Sequence, residues 1–276
     1  MFALTSRALD AGYRVIGHET VGSTNAEALA AAGAGDPGRL WIAALSQSAG
    51  RGRRGRVWES AKGNLAATVM IRPGGDAGQV ATLGFVAGVA LNRTLNALVP
   101  KGTFRSGLDG ADGTSEAGKA RIALKWPNDV LVDGGKVAGI LLETQISARK
   151  GLAVAIGFGV NVVAAPQDTP YPAISLADLE LGLDAPTVFA HLADNWIDCL
   201  ADWNDGAGVS RILDQWRSHA AGLGSQVAIQ SGGDVVRGTF EAIDDAGRLV
   251  VRDMHGHRTA ISAGDVHFGA TATLRA

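Results

Sequence analysis

A single cysteine, Cys199, is the only thiol in this 276-residue chain, which excludes an internal disulfide framework and any cysteine-rich metal site. It falls in an amphipathic helical pattern where a buried thiol is expected, and a reducing, cytoplasmic setting fits. Long apolar runs are also missing. Although 46% of the residues are hydrophobic, no stretch reaches the roughly 18 residues needed to cross a bilayer. The N-terminus carries Arg7, Asp10 and Arg14 in place of a signal-peptide core, so neither export nor membrane insertion is expected. Excess charge of one sign is absent too. With 25 basic and 27 acidic residues and a net charge of −2, the chain is not built to wrap nucleic acid over a wide surface, and any anion site must be local. No internal repeat is apparent. Length and apolar content predict one large domain with a substantial core, plus a small one.

Against that even charge balance, Gly50-Arg51-Gly52-Arg53-Arg54-Gly55-Arg56, followed by Val57-Trp58, packs four arginines and three glycines into one short segment. Glycine at near-alternate positions favours an irregular loop whose backbone N–H groups can approach an oxyanion, and phosphate is the obvious candidate. A solvated basic loop or a nucleic-acid patch of the RGG kind are the alternatives that this segment alone leaves open.

Periodicity places the loop between two strands. Residues 14–19 read as a short strand, and Gly22-Ser23-Thr24-Asn25 precedes an alanine-rich helix with a hydroxyl or amide cap available. Residues 40–47 form a buried-type strand that runs into the arginine loop, and 64–71 resume strand character beyond it. Val80, Leu83, Ala87, Leu91, Leu95 and Leu98 make a helical stripe within 79–99. Residues 101–119 have scarcely any apolar anchor and read as a disordered-type surface insertion. Strands are expected at 122–126, 130–132, 137–146 and 152–162, then helical stripes that include Trp196, Trp203 and Trp216 as core. After Gly222 the pattern changes to short strands at 227–229, 235–243, 249–253 and 258–261 separated by Gly/Asp turns, which implies a small β-barrel of about fifty residues.

Lys125-Trp126-Pro127-Asn128-Asp129 sets a cation, an aromatic, a proline, an amide and a carboxylate in consecutive positions at a strand end. A plain Pro-Asn-Asp turn is the default reading. Lys136 follows, however, across what reads as a hairpin. If Gly134-Gly135 are its two turn residues, Asp133 pairs with Lys136, and Asp129, Leu131, Asp133 and Lys136 share a face, with Asp129 and Lys136 about 13 Å apart at the backbone. A three-residue loop would put Lys136 on the other face.

The chain closely resembles the biotin–protein ligases over nearly its whole length. The matching residues are Ser23-Thr24-Asn25, Gln47 before the arginine loop and Trp58, Lys125 to Asp129, Lys136 before Ala138-Gly139-Ile140-Leu141, Gly157-Phe158-Gly159-Val160-Asn161, and a terminal segment through Gly264-Asp265-Val266. The resemblance implies an α/β (α+β) catalytic domain over 1–222, built on the mixed sheet of the class II synthetase-like biotin–lipoate ligases, then an SH3-like barrel over 223–276. It also implies ATP and biotin as substrates with Mg2+, biotinyl-5′-AMP as intermediate, and transfer of biotin to a lysine of a biotin carboxyl carrier domain.

That chemistry joins two anions, a carboxylate and the α-phosphate, so cations must offset their repulsion. The resemblance assigns Arg51, Arg53 and Lys136 to this task and Asp129 to orienting or deprotonating the acceptor amine. It implies a biotin site of Ser23, Thr24, Gln47, Gly50, Arg51, Arg53, Lys136, Gly139, Ile140 and Leu141. The implied nucleotide site is Arg53, Arg54, Arg56, Trp58, Lys125, Asn128, Asp129, Lys136 and Asn161, and no residue is identified as a direct metal ligand. Ser23 as a helix cap, Trp58 as a core anchor and Asn161 as a turn former are the structural alternatives. About twenty residues precede Ser23, too few for the winged helix of relatives that repress transcription, so no DNA binding through a domain of its own is expected. An exposed strand edge could pair two subunits. The lipoate and octanoate ligases are the nearest rival, and the arginine loop argues against them.

Overall fold

The computed structural model describes residues 1–74, 77–100, 122–147, 151–167, 169, 171–231 and 234–268; the expected insertion at 101–119 lies outside them. Helix α1 (Ser6–Asp10) leads into β1 (Arg14–His18), α2 (Thr24–Gly33), β2 (Leu40–Ala44) and β3 (Leu65–Ile71). After these come α3 (Ala77–Ala81), α4 (Leu83–Leu98), β4 (Ile122–Lys125), β5 (Asp129–Val132), β6 (Gly135–Ser147) and β7 (Gly151–Val160). Helices α5 (Ala185–Trp203) and α6 (Val209–Arg217) precede β8 (Gln226–Ser231), β9 (Asp234–Ile243), β10 (Leu249–Arg252), β11 (Arg258–Ile261) and β12 (Asp265–Phe268). The expected stripe over 79–99 is split at Thr82, whose hydroxyl donates to the Gln79 carbonyl at 2.5 Å and accepts the Trp203 indole N–H at 2.8 Å. Helix α1 and strand β12 carry too few apolar residues to be read from periodicity.

Strands β1 to β7 form one mixed sheet in the order β1-β2-β3-β7-β6-β5-β4, parallel only at β1–β2, where α2 makes the crossover. Every residue of β2 and β3 is buried, as both faces of the sheet are covered. On one face, Ala28 and Ala32 of α2 pack on Leu40, Ile42, Met70, Ala153 and Ala155. On the other, Trp41 and Phe158 of the sheet meet Trp196 of α5 with centroids 6.4 and 6.2 Å away, edge to face. Cys199 sits in this layer, fully buried, and burial pushes its thiol up to about 12. The native protein is therefore expected to show no reaction with a disulfide reagent at neutral pH, and one equivalent after denaturation. Fast labelling of the native form would contradict that packing.

The C-terminal strands make a five-stranded antiparallel sheet in the order β11-β10-β9-β8-β12. Among the described residues no ladder joins β11 to β12, so the expected closed barrel is present as an antiparallel sheet. Its residues Val227, Ile229 and Phe240 belong to the same core cluster as Trp126 and Phe158. The Trp126 indole N–H donates to the Gly247 carbonyl at 3.0 Å, and Arg217 donates to the Ile243 carbonyl at 2.9 Å. These contacts fix the second sheet beside the first.

Candidate active site

The floor of the main cleft is a row of missing side chains. Gly139 of β6 stands opposite Gly159 of β7, and Leu141 opposite Gly157. Since strand residues alternate between faces, Gly157 and Gly159 open the same side. A Cβ at Gly157 would run into the Asn25 carboxamide, and one at Gly159 into the Trp58 indole. Glycine is needed here for close approach, not for backbone conformation.

One end of this trough is closed by polar groups at the N-terminus of α2. Ser23 caps the helix, its Oγ accepting from the Ala26 N–H at 3.4 Å. The Thr24 N–H donates to Gln47 Oε1 at 2.8 Å. Thr68, fully buried on β3, has its hydroxyl 2.8 Å from Thr24 Oγ1 and 2.6 Å from Asn25 Oδ1. A hydroxyl has one proton and a carboxamide oxygen only accepts, so Thr68 donates to Asn25, and the Thr24 proton goes to Thr68 Oγ1 or to Gln47 Oε1, 3.2 Å away. Asn25 Nδ2 then donates to Glu143 Oε2 at 2.8 Å and to the Leu141 carbonyl at 3.3 Å. With its proton committed, Thr24 Oγ1 faces the cleft as an acceptor, suited to a ligand N–H.

Cations gather at the other end. After β2 the chain leaves the sheet and folds on itself: the Gly52 N–H donates to the Arg56 carbonyl at 2.7 Å and the Trp58 N–H to the Gly50 carbonyl at 3.0 Å. Arg54 (φ 57°) and Gly55 (φ 72°) make the reversal. Each arginine of the loop finds an oxygen. Arg51 Nη2 lies 3.4 Å from Glu143 Oε1. Arg53 donates to Asn128 Oδ1 at 3.2 Å and to the Gly264 carbonyl at 3.3 Å. Arg54 pairs with Asp265 at 3.0 Å, and Arg56 pairs with the same carboxylate. Burial pulls the Arg53 guanidinium below its ordinary value, so its charge is held in a partly desolvated place where an anion is attracted strongly.

The hairpin register differs from both expected forms. The turn residues are Asp133 (φ 48°) and Gly134 (φ 79°), Val132 pairs with Gly135, and Leu131 pairs with Lys136. Positive φ at both positions is the primed turn that matches strand twist, which Asp-Gly supplies better than Gly-Gly. A bulge then restores Asp129 opposite Gly139. Lys136 and Asp129 do share a face, but two positions apart, and Lys136 Nζ meets Asp129 Oδ1 at 2.8 Å. A ligand would therefore lie against an ion pair instead of between separated charges. Lys136 Nζ is also 5.4 Å from the Trp58 ring centroid.

Ser23, Thr24, Gln47, Arg51, Arg53, Arg56, Trp58, Asn128, Asp129, Lys136, Gly139, Ile140 and Leu141 all line this one cleft. Gly50, Arg54, Lys125 and Asn161 lie beside it. Gly50 keeps the loop stem tight, since a Cβ there would meet the Trp58 carbonyl. Asn161 is buried, its Nδ2 donating to the Lys136 carbonyl at 3.3 Å and the Ile174 carbonyl at 3.2 Å, so it acts on the backbone that carries Lys136. Lys125 is buried with its ammonium 4.1 Å from the Tyr171 ring centroid and 5.3 Å from that of Phe268, and burial lowers its pKa. Sequence reasoning assigned no role to Asn25, Thr68, Glu143 or Asp265. Thr68 and Glu143 are polar residues in otherwise apolar runs, and Asp265 stands in the terminal segment that carries the resemblance, so each had a signal in the sequence.

A trough with a hydrogen-bonding closed end, an apolar floor and a cationic mouth suits a ligand with an amide-like head, an apolar body and an anionic tail. Among the described residues no group of three or more His, Cys, Asp or Glu could hold a metal ion. Asp129, Asn128 and Asp265 are the oxygen donors at the mouth, and both carboxylates are already paired with cations, so a divalent cation would have to arrive largely coordinated by phosphates.

Known proteins resemble this chain in sequence and fold. The family model for the biotin/lipoate A/B protein ligase family matches residues 32–161, and that for the biotin protein ligase C-terminal domain matches 222–269. A biotin--[acetyl-CoA-carboxylase] ligase of Paracoccus denitrificans is 40% identical over 90% of this chain and 97% of its own. The bifunctional ligase/repressor BirA of Bacillus subtilis is 29% identical over 94% of this chain and 75% of its own. Among solved structures, a biotin protein ligase from Aquifex aeolicus in complex with biotin and ATP shares the fold (TM-score 0.71, 20% identity, 92% of this chain, 98% of that one). So does the Leishmania major enzyme in complex with biotinyl-5-AMP (TM-score 0.57, 25% identity, 91% and 99%). Matched to the Paracoccus protein over nearly the full length of both, and over both of its sheets by the two family models, the chain belongs to the biotin/lipoate protein ligase family, among the biotin protein ligases.

Proposed function

We propose that this protein is an ATP-dependent biotin–protein ligase that makes biotinyl-5′-AMP and passes biotin to a lysine of a biotin carboxyl carrier domain, such as that of acetyl-CoA carboxylase. The observation that carries this reading is that Arg51, Arg53 and Lys136 line one glycine-floored trough together with Thr24 and Gln47. The ureido ring would sit at that closed end against Ser23, Thr24 and Gln47, where Thr24 Oγ1 accepts a ring N–H. Gly139, Ile140 and Leu141 would border the valeryl chain.

In the first half-reaction a biotin carboxylate oxygen attacks the α-phosphorus of ATP, the bond to the bridging oxygen breaks, and pyrophosphate leaves. Arg51, Arg53 and Lys136 stabilise the charge that builds on the carboxylate and α-phosphate, and Arg54 and Arg56 bind the departing phosphates. Asn128 holds the Arg53 guanidinium in line. Trp58 covers the adenylate. Magnesium, when bound with ATP, screens the triphosphate. In the second half-reaction the acceptor ε-amine, neutral, attacks the acyl carbon and AMP leaves. Asp129, positioned by Lys136, orients the amine and takes its proton. Lys125 and Asn161 act from behind, through the strand ends that carry Asp129 and Lys136. Residues 1–222 form the catalytic domain and 223–276 the C-terminal one. A cytoplasmic location accords with the unpaired, buried Cys199.

The test is the intact mass of a purified biotin carboxyl carrier domain after incubation with the protein, Mg-ATP and equal amounts of biotin and lipoate. A biotin-sized increase that needs ATP is expected. A lipoyl increase would move the chain to the sister activity, and no increase on an authentic acceptor would overturn the reading.

A further inference from the structure

Two lysines flank Asp129 on one face of the catalytic sheet, and only one of them is neutralised. Lys125 is the register partner of Asp129 across β4 and β5, and Lys136 takes the carboxylate from the β6 side at 2.8 Å. Lys125 makes no ion pair among the described residues; Asp129 and Asp265 act on it only through space. Its ammonium lies instead 4.1 Å from the Tyr171 ring centroid and 5.3 Å from that of Phe268. The Tyr171 hydroxyl is 3.2 Å from His267 Nε2, which ties the ring to the C-terminal sheet. An aromatic face attracts a cation without cancelling its charge. The row across the three strands is therefore plus, minus, plus, with one charge left over on a residue only 8% exposed, where water screens it little.

We propose that Lys125 acts on the second half-reaction through its charge: it disfavours the ammonium form of the acceptor lysine beside Asp129 and so supplies the neutral amine. The inference rests on the ligase reading and deepens its transfer step. A lysine with an ordinary pKa of about 10.4 arrives almost wholly protonated at neutral pH, and a like charge nearby promotes loss of that proton. The ammonium gives its proton to water. The nitrogen lone pair then attacks the acyl carbon, the C–N bond forms, and the C–O bond to the phosphate breaks with its electron pair on AMP. Asp129 takes the second proton that the nitrogen releases. Other groups around the row leave this effect to Lys125. Lys136 is paired with Asp129, and Asp265 with Arg54 and Arg56. Burial lowers the His267 pKa and raises that of the Tyr171 phenol, so both are neutral just above neutral pH. Burial also lowers the Lys125 pKa, so its charge is lost first at the alkaline end, where the acceptor amine needs no help.

Single-turnover transfer from synthetic biotinyl-5′-AMP to a saturating biotin carboxyl carrier domain tests this, because supplying the adenylate bypasses the first half-reaction. Rates are read from neutral pH to about pH 10. In Lys125→Met the rise of rate with pH is expected about half to one unit later than in the wild type. That makes transfer about three- to tenfold slower at neutral pH, with the two profiles converging at the alkaline end. Lys125→Arg, which keeps the charge, should follow the wild type. Hydroxylamine, an amine already neutral at neutral pH, should take biotin from the bound adenylate equally fast in Lys125→Met and wild type. Superimposed profiles for Lys125→Met and wild type would overturn the proposal. So would a loss of the same size at every pH, an equal loss with hydroxylamine, or a Lys125→Arg profile like that of Lys125→Met, since each marks a role other than charge. Absence of transfer by the wild-type protein itself would sink the ligase reading and the proposal with it, whereas differences among variants of an active protein bear on Lys125 alone.

Discussion

Lys136→Ala is expected to slow biotinyl-adenylate formation by about 10²- to 10³-fold, the range seen when one preorganised donor to a developing oxyanion is removed. The lysine is well placed for so large an effect. Its side chain is 29% exposed and its ammonium is held at 2.8 Å by Asp129 and backed by the Trp58 ring, so no reorganisation is needed when charge develops. Its backbone is pinned as well, the N–H donating to the Pro172 carbonyl and the carbonyl accepting from the Ile174 N–H. Truncation should therefore leave the fold intact. Pyrophosphate release in single-turnover experiments reads the step directly, and the melting temperature serves as the control for folding. Near-wild-type release would remove Lys136 from the chemistry.

Gly157→Ala should strike at binding instead. The added methyl would occupy the place of the Asn25 carboxamide. Asn25 cannot swing away cheaply, because its amide group is committed to Glu143, Leu141 and Thr68 in a buried network. Overpacking of that kind costs about 1–3 kcal/mol, and the displaced network also carries Thr24. A loss of biotin affinity of about tenfold or more is expected, together with a lower melting temperature. Gly22→Ala, where an added Cβ meets nothing within 4 Å, is the matched control and should be silent in both measurements. Wild-type affinity in Gly157→Ala would mean that the closed end of the trough does not bind ligand.

Much of this architecture is legible in the sequence. The strands on either side of the arginine loop, the helical stripes of α4 and α5 and the short strands of the C-terminal sheet follow from apolar period alone. Hidden features depend on contacts between distant segments. That Asp265 would lie against Arg54 and Arg56 depends on how the second sheet docks, through Trp126 and Gly247 among others, and no local pattern encodes it. The Lys136 register was misread for a different reason. Asp133-Gly134 and Gly134-Gly135 are both plausible turn pairs that leave Lys136 and Asp129 on one face, and only the first sets Lys136 opposite Leu131, two positions from Asp129. Thr68 shows a third limit: a threonine in a strand is ordinary, and only its burial under α2 makes it the hub of a polar network.

Strand β6 carries Lys136 near one end, Gly139 and Leu141 along the trough, and Glu143 at the polar end. The two ends of the cleft are thus not independent loops that adjust to what lies between them, but marks on a single rigid rod in the interior of a sheet. From Gly139 to Glu143 the rod rises about 13 Å, a spacing that the ladder to β7 prevents from stretching. Selection among carboxylic acids then becomes a measurement of length. An acid one methylene shorter or longer, with its head seated against Thr24 and Gln47, presents its carboxylate about 1 Å out of position, a displacement that can cost on the order of 10² in rate.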